Sequence, residues 1–156
     1  MTSTGAKLAA GGSLPDLTLP SASGQSTVPL KPGGRRNPVV IAIHGGGCEE
    51  CRAYVGRLAA ADAELREGDA HVVVIAPDAV GIADGDLPFP AVTDLERRFA
   101  RRTGIEGAGV VIADQWGEVA HVADAGAGHD LPDPREIARW VQYLAIRCPE
   151  CEGEAL

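Results

Sequence analysis

The sequence predicts a three-layer α/β domain, in which a central mixed β-sheet is flanked by helices and preceded by a small β-hairpin. Two β-branched runs, at residues 39–43 and 72–76, are typical of strands buried on both faces, and a helical apolar stripe separates them. A hairpin pattern begins at residue 110, and a final helix follows it and runs up to Cys148. Parallel strands joined by a helical crossover define this fold class, and 156 residues suit one such domain.

The first predicted elements are the hairpin and a buried strand. Between residues 13 and 36, short apolar stretches are interrupted by proline and glycine, which favours a small hairpin followed by a loop. The next strand, Val39–Ile43, is bounded by Pro38 and Gly45.

One long helix and a second buried strand come next. The helix is predicted to begin at or just before Cys48 and to end at Gly68. Val72–Ala76 forms the strand, and residues 77–90 form a loop rich in glycine, aspartate and proline. The helix prediction depends on apolar residues that recur at helical spacing, namely Tyr54, Leu58, Ala61 and Leu65.

Caps and turns mark the remaining elements. Either Thr93 or Asp94 is predicted to cap a short helix that carries Leu95 and Phe99 and ends at Gly104.

The last predicted elements are a hairpin and a closing helix. A turn at residues 114–117 joins two strands of this hairpin. The closing helix has Asp133 as its N-cap and Pro134 as its first residue, and its apolar stripe is Ile137, Val141 and Leu144.

Charge and composition exclude several classes of function. The formal net charge is −8 and the pI is near 4.9, so nucleic acid and anionic membranes are unfavourable partners. No apolar run approaches the roughly 20 residues of a membrane span, and no signal peptide is recognisable, so a cytoplasmic location is expected. We expect a flexible N-terminus at residues 1–12, a domain at 13–147 and a C-terminal tail at 148–156.

The four cysteines fall into two pairs of identical spacing, Cys48/Cys51 and Cys148/Cys151. In a reducing compartment, C-x-x-C pairs indicate redox chemistry or zinc binding more than a structural disulfide framework.

Cys48 is the candidate nucleophile. A buried strand that ends at His44, three glycines and then a cysteine opening a helix place its sulfur at a helix N-terminus, where the macrodipole favours a thiolate. Cys51 lies one turn further along and can close a disulfide on Cys48. Two alternatives remain open for this pair, a pair of small buried side chains and metal ligation. His44, four residues before Cys48, is a possible auxiliary residue.

Several blocks of the chain resemble the alkyl hydroperoxide reductase/thiol-specific antioxidant family. The blocks are residues 14–20, 39–52, 87–94 with 99–105, and 111–119, and together they cover nearly the whole of residues 13–147. The resemblance implies a thioredoxin-like, peroxiredoxin-like protein in which Cys48 reacts and Cys51 resolves.

Departures from the family pattern bear on activity. Peroxiredoxins surround the attacking cysteine with a proline, a threonine or serine and an arginine, whereas this chain has Ile41, Gly45 and Ala108 at those positions. The resemblance therefore predicts a poor peroxidase unless another side chain substitutes. Gly109 stands where thioredoxins carry a cis-proline, and Gly47 stands where an aromatic residue usually precedes the first cysteine.

Two acidic residues, Glu49 and Glu50, separate the cysteines of the first pair. Their charge suits a helix start but should raise the pKa of the Cys48 thiol, which predicts a reducing pair of low potential.

The second pair follows the last helix, whose roughly 14 residues at about 1.5 Å each would carry Cys148 about 20 Å from the active edge of the sheet. Direct exchange between the pairs is therefore not expected. An intermolecular relay, a local disulfide, and zinc shared between two protomers through Cys148 and Cys151 stay open.

We therefore predict a thiol–disulfide oxidoreductase that needs no cofactor and exchanges electrons with a thiol or disulfide partner, as a possible homodimer. The alternatives are a cysteine-dependent hydroperoxide reductase and a non-catalytic binding module. The other histidines, His71, His121 and His129, show no ligand spacing and are interpreted as surface or strand residues.

Overall fold

A computed structural model describes residues 7–79, 81 and 87–146 of the protein. Cys148 and Cys151, with the predictions made for them, lie outside these residues. The described strands are β1 (Thr18–Pro20), β2 (Thr27–Pro29), β3 (Asn37–Ala42), β4 (Ala70–Ala76), β5 (Ala91–Thr93), β6 (Ala108–Ala113) and β7 (Val119–Gly126). The described helices are α1 (Glu49–Ala60), α2 (Asp62–Glu67), α3 (Arg98–Thr103) and α4 (Pro134–Ile146).

Five strands form one mixed sheet in the order β5-β4-β3-β6-β7, while β1 and β2 form a separate antiparallel hairpin. β3, β4 and β5 are mutually parallel, β6 is antiparallel to β3, and β7 is antiparallel to β6. β7 therefore runs in the same direction as β3, and both strands end at the same edge of the sheet. This architecture confirms the predicted mixed sheet and N-terminal hairpin.

Alternate residues of the central strand enter two separate cores. Val39 and Ile41 pack into a cluster with residues of α1, α2 and α4. Val40 packs into the other cluster, with leucines of the N-terminal segment and with Phe99 and Ile105. Because side chains alternate along a strand, a run without polar residues is required to fill both cores.

The predicted long helix is broken at Ala61, so α1 and α2 replace it. The N–H of Ala61 donates to the carbonyls of both Arg57 and Leu58, which tightens the turn there. The apolar stripe continues across the break because Leu58 and Leu65 are both fully buried.

The region before α3 differs from the prediction in two ways. β5 was not predicted, since three residues carry no periodicity, and it is held by parallel pairing with β4. Leu95 lies in an exposed turn rather than on the helix. α3 starts at Arg98 because the Asp94 carboxylate accepts hydrogen bonds from the N–H groups of Arg98 and Phe99, both at 2.8 Å. Asp94, one of the two predicted alternatives, therefore caps α3 through its carboxylate, although the N-cap position itself is held by Arg97.

The closing helix is confirmed. α4 begins at Pro134, and the Asp133 carboxylate accepts a hydrogen bond from the N–H of Arg135 at 2.9 Å. The predicted stripe of Ile137, Val141 and Leu144 is buried.

The N-terminal segment joins the main body through its backbone. Leu8 donates to the carbonyl of Thr103, and Gly11 donates to the carbonyl of Val119, both at 2.8 Å. Among the described residues, no helix is both long and apolar enough to cross a membrane.

Candidate functional site

Cys48 lies where the chain turns from the end of β3 into α1. Its own N–H donates to the carbonyl of Gly45 at 3.2 Å, and its carbonyl accepts from Arg52 at 2.9 Å. Cys48 is therefore the N-cap residue, with extended backbone angles, and the helix itself begins at Glu49. Its partly exposed sulfur sits beside the N–H groups of the first helical turn, which have no acceptor within the helix, so negative charge is favoured there.

Cys51 lies in the first turn of α1 and is only 2% exposed. Its Sγ accepts a hydrogen bond from the backbone N–H of His44 at 3.3 Å. Both Cys48 and Cys51 are free thiols. The pair thus combines one sulfur open to solvent with one that is buried.

A second histidine, His129, completes the site. It lies in the loop between β7 and α4, and its Nε2 is 3.2 Å from Cys48 Sγ and 3.2 Å from His44 Nδ1. The sequence interpretation of His129 as a surface or strand residue missed this contact, which joins residues 81 positions apart. The one available indication was topological, because the ends of β3 and β7 share one sheet edge.

Hydrogen-bond polarity assigns the protons of the two rings. His44 Nε2 faces the carbonyl oxygen of Gly126 at 2.7 Å, and a carbonyl only accepts, so this nitrogen carries the proton. The lone pair of a neutral His44 ring is then on Nδ1, which also lies 3.6 Å from Cys51 Sγ. His129 Nδ1 faces the Glu50 carboxylate at 3.3 Å. A His129 ring that donates from both nitrogens satisfies Glu50 on one side and the Cys48 thiolate on the other.

These contacts separate the two thiols electrostatically. The pKa of Cys48 is lowered to about 6, first by the backbone N–H of Cys51 and next by the side chain of His129. Burial raises the pKa of the Cys51 thiol. The predicted rise in the pKa of Cys48 is therefore wrong, and one of the two acidic residues, Glu50, is instead directed at His129.

The glycines singled out by the sequence have different surroundings. A Cβ on Gly47 would meet no atom within 4 Å, so this position leaves open space next to Cys48. A Cβ on Gly109 would lie 2.7 Å from Ile105 Cγ2 and 3.1 Å from the Ala123 carbonyl oxygen, so β6 and β7 pack closely there. Within the described residues there is no cis peptide bond.

The other histidines lie on strands. His71, on β4, is buried, and His121, on β7, stacks on Trp140 with ring centroids 5.1 Å apart. The structure thus brings together His44, Cys48, Cys51 and His129, and not the remaining two histidines.

Comparison with known proteins places the chain in a recognised group. A family model described as the AhpC/TSA family matches residues 10–122. Among curated protein sequences, none matches significantly.

Solved structures share the whole fold at low sequence identity. Mycobacterium tuberculosis AhpC is 17% identical with a TM-score of 0.72, over 94% of this chain and 99% of the other. The peroxidoxin BcpB from Mycobacterium tuberculosis is 18% identical with a TM-score of 0.76, over 90% and 99% of the two chains. A peroxiredoxin-like protein from Aquifex aeolicus is 18% identical with a TM-score of 0.73, over 90% of each chain. The expected thioredoxin-like fold is thereby confirmed.

Proposed function

This chain belongs to the AhpC/TSA family and is an oxidoreductase, and we propose that it catalyses thiol–disulfide exchange with Cys48 as the nucleophile and Cys51 as the resolving cysteine. The observation that carries the proposal is the asymmetry of the two sulfurs. Cys48 is accessible, contacts His129 and has a pKa of about 6, whereas Cys51 is buried with a raised pKa. Exchange requires an accessible thiolate for attack and a neighbouring thiol for resolution.

In the first step the Cys48 thiolate attacks one sulfur of a partner disulfide. A bond forms between Cys48 Sγ and that sulfur, and the other partner sulfur leaves as a thiolate with the electron pair of the broken bond. The open space beside Gly47 gives the partner access to Cys48. Because a disulfide is uncharged, this step needs no further charged residue.

In the second step Cys51 resolves the mixed disulfide. Its thiol must lose a proton first, and His44 Nδ1, at 3.6 Å, carries the lone pair that can accept it. The Cys51 thiolate then attacks Cys48 Sγ, the Cys48–Cys51 disulfide forms, and the partner sulfur leaves as a thiolate. In this proposal His44 is the auxiliary base, and the partners are thiols and disulfides of proteins or small molecules.

The low pKa of Cys48 also bears on the redox potential of the Cys48–Cys51 pair. A stabilised thiolate favours the reduced dithiol, so we now expect a midpoint less negative than the about −270 mV of thioredoxin. This expectation replaces the low potential that the two glutamates suggested.

The test is site-resolved alkylation with mass spectrometry on protein poised at a series of dithiol/disulfide ratios. A chelator keeps the protein free of metal, and a Cys148→Ser/Cys151→Ser background removes the second pair. We expect reversible formation of the Cys48–Cys51 disulfide, and a mixed disulfide at Cys48 that accumulates in the Cys51→Ser variant. A pair that stays reduced at every ratio would contradict the proposal.

Hydroperoxide reduction is the second candidate function. Two observations favour it: the chain belongs to the AhpC/TSA family, and the side chain of His129 lies next to the reactive sulfur of Cys48. The Cys48 thiolate would attack the peroxide O–O bond, take one oxygen as sulfenic acid and release an alcohol after protonation of the other oxygen. The Cys51 thiol would then condense with the sulfenic acid, forming the disulfide and releasing water. His129 Nε2, 3.2 Å from Cys48 Sγ, can stabilise the charge that develops on the leaving oxygen, where Gly45 and Ala108 offer no side-chain donor.

Peroxide consumption at stoichiometric protein tests this candidate. A bimolecular rate well above that of a free thiol, lost in His129→Ala, supports it. A rate equal to that of a free thiol would exclude hydroperoxide reduction and would not affect the proposal of thiol–disulfide exchange.

A further inference from the structure

The four polar side chains of the site form a potential metal-binding cluster. One ligand atom from each of His44, Cys48, Cys51 and His129 lies within 4.8 Å of the corresponding atoms of the other three. Two thiolates and two imidazoles are the ligand set of many tetrahedral zinc sites.

We propose that the reduced protein binds one Zn²⁺ per chain through Cys48 Sγ, Cys51 Sγ, His44 Nδ1 and His129 Nε2. This site is distinct from the zinc site considered for the C-terminal cysteine pair. It does not depend on the exchange activity, since metal binding needs only the reduced dithiol.

Three of the six separations between ligand atoms are close to those of a zinc tetrahedron. Zn–S bonds of about 2.3 Å and Zn–N bonds of about 2.05 Å place ligand atoms about 3.3 Å apart for two nitrogens and about 3.6 Å apart for sulfur and nitrogen. The two imidazole nitrogens are 3.2 Å apart. Cys51 Sγ lies 3.6 Å from His44 Nδ1, and Cys48 Sγ lies 3.2 Å from His129 Nε2. All six separations are within 4.8 Å, so closure around the ion requires the widest of them to shorten by about 1 Å.

In each histidine ring, the nitrogen that would not bind zinc already has a hydrogen-bond partner of the kind seen in zinc sites. A ligating histidine usually donates its other N–H to a carbonyl or carboxylate, which fixes the ring and its tautomer. His44 Nε2 meets the carbonyl of Gly126 at 2.7 Å, and His129 Nδ1 meets the carboxylate of Glu50 at 3.3 Å. Each ring therefore presents its inner nitrogen to the cluster.

Charge and access also suit the ion. Two thiolates neutralise Zn²⁺, and the backbone N–H of His44 already donates to Cys51 Sγ. His129 is exposed and Cys48 is partly exposed, so the ion can enter from solvent. Four protein ligands close the coordination shell, so the bound form has no site for a substrate and both sulfurs are masked.

Direct binding measurements test the proposal on reduced full-length protein in the Cys148→Ser/Cys151→Ser background. We expect one Zn²⁺ per chain by elemental analysis after gel filtration. We expect Co²⁺ to give thiolate-to-metal charge-transfer absorption and the intense visible bands of a tetrahedral site. Bound Zn²⁺ should also block alkylation of both Cys48 and Cys51, and a chelator should restore it.

Substitutions separate the four-ligand site from binding by the cysteines alone. His44→Ala and His129→Ala should each weaken Zn²⁺ binding by more than about 100-fold, and Glu50→Gln, which removes an orienting partner, by about 10-fold. His121→Ala is the matched control, since its ring stacks on Trp140, and it should bind as the parent does. Circular dichroism verifies that each variant is folded.

Three outcomes would overturn the proposal. They are a failure to bind Zn²⁺, a stoichiometry of one ion per two chains, and unchanged affinity in the two histidine variants. Because the exchange assay uses metal-free protein, failure of zinc binding and failure of exchange are distinguishable.

Discussion

Replacement of His129 by alanine should shift the pH dependence of Cys48 reactivity without abolishing it. The side chain lies 3.2 Å from Cys48 Sγ and is the second contribution to its low pKa, after the backbone N–H of Cys51. The backbone contribution survives the substitution, because it comes from α1 itself. We therefore expect a pKa that rises only part of the way towards that of an ordinary cysteine.

The magnitude follows from two opposing effects. A hydrogen bond to the thiolate favours the charged form, and we take the loss of this one bond as a rise in the pKa of Cys48 of about one unit. A rise of about one unit lowers the thiolate fraction about tenfold at pH 5 but hardly at pH 8. The same rise makes the thiolate about threefold more nucleophilic, given a Brønsted coefficient of about 0.4–0.5. The variant should therefore react about threefold more slowly at pH 5 and about threefold faster at pH 8.

Stopped-flow kinetics with a small neutral disulfide measures this crossover. The protein is kept free of metal by a chelator and carries Cys148→Ser, Cys151→Ser and Cys51→Ser, so that only Cys48 reacts. His129→Gln, which retains an N–H donor on a differently shaped side chain, should fall between the parent and His129→Ala. His121→Ala should coincide with the parent. Parallel pH profiles for His129→Ala and the parent would refute the role assigned to His129.

Three further predictions concern stability and the support of the site. Tyr54→Phe removes the hydrogen bond that the buried hydroxyl donates to the carbonyl of Pro132 at 2.6 Å, so the free energy of unfolding in urea should fall by about 1 kcal/mol. The same substitution should loosen the loop that carries His129 and thereby raise the pKa of Cys48. Asp94→Ala leaves two N–H groups of α3 unpaired and should cost about 2 kcal/mol in the same assay. Burial lowers the pKa of His71, so stability should be lost as the pH falls below about 6.5, where the unfolded chain takes up a proton first; this loss should be smaller in His71→Leu.

Each of these predictions has a distinct refuting result. For Tyr54→Phe it is an unchanged Cys48 titration together with lost stability, which would separate the loop from the site. An Asp94→Asn variant retains one acceptor oxygen and should be less destabilised than Asp94→Ala; equal losses would argue against capping. For His71, the quantity to compare is the loss of unfolding free energy between pH 7 and pH 5 in the parent and in His71→Leu. Equal losses in the two proteins would refute this prediction.

The position of Cys48 was predictable because local signals determine it. A β-branched strand, a glycine-rich turn and an amphipathic stripe, all within residues 39–65, fix the cysteine at a helix start. The cap of α4 at Asp133 was predictable for the same reason, since a cap depends on the neighbouring backbone N–H groups. The choice between Thr93 and Asp94 needed the structure, because both residue types can cap a helix.

The sequence alone determined the α/β class, the order of the main elements and the candidate cysteine pair, because periodicity, caps and turns act over a few residues. Only the tertiary structure decided the electrostatics of the pair. His129 reaches Cys48 because two antiparallel pairings, β3 with β6 and β6 with β7, bring the ends of β3 and β7 to one edge of the sheet. Glu50 then faces His129, so a carboxylate that local sequence placed against the thiolate orients the histidine next to it instead. Contacts between residues about 80 positions apart leave no periodic trace, so the pKa of Cys48 and the four-ligand cluster emerge only on folding.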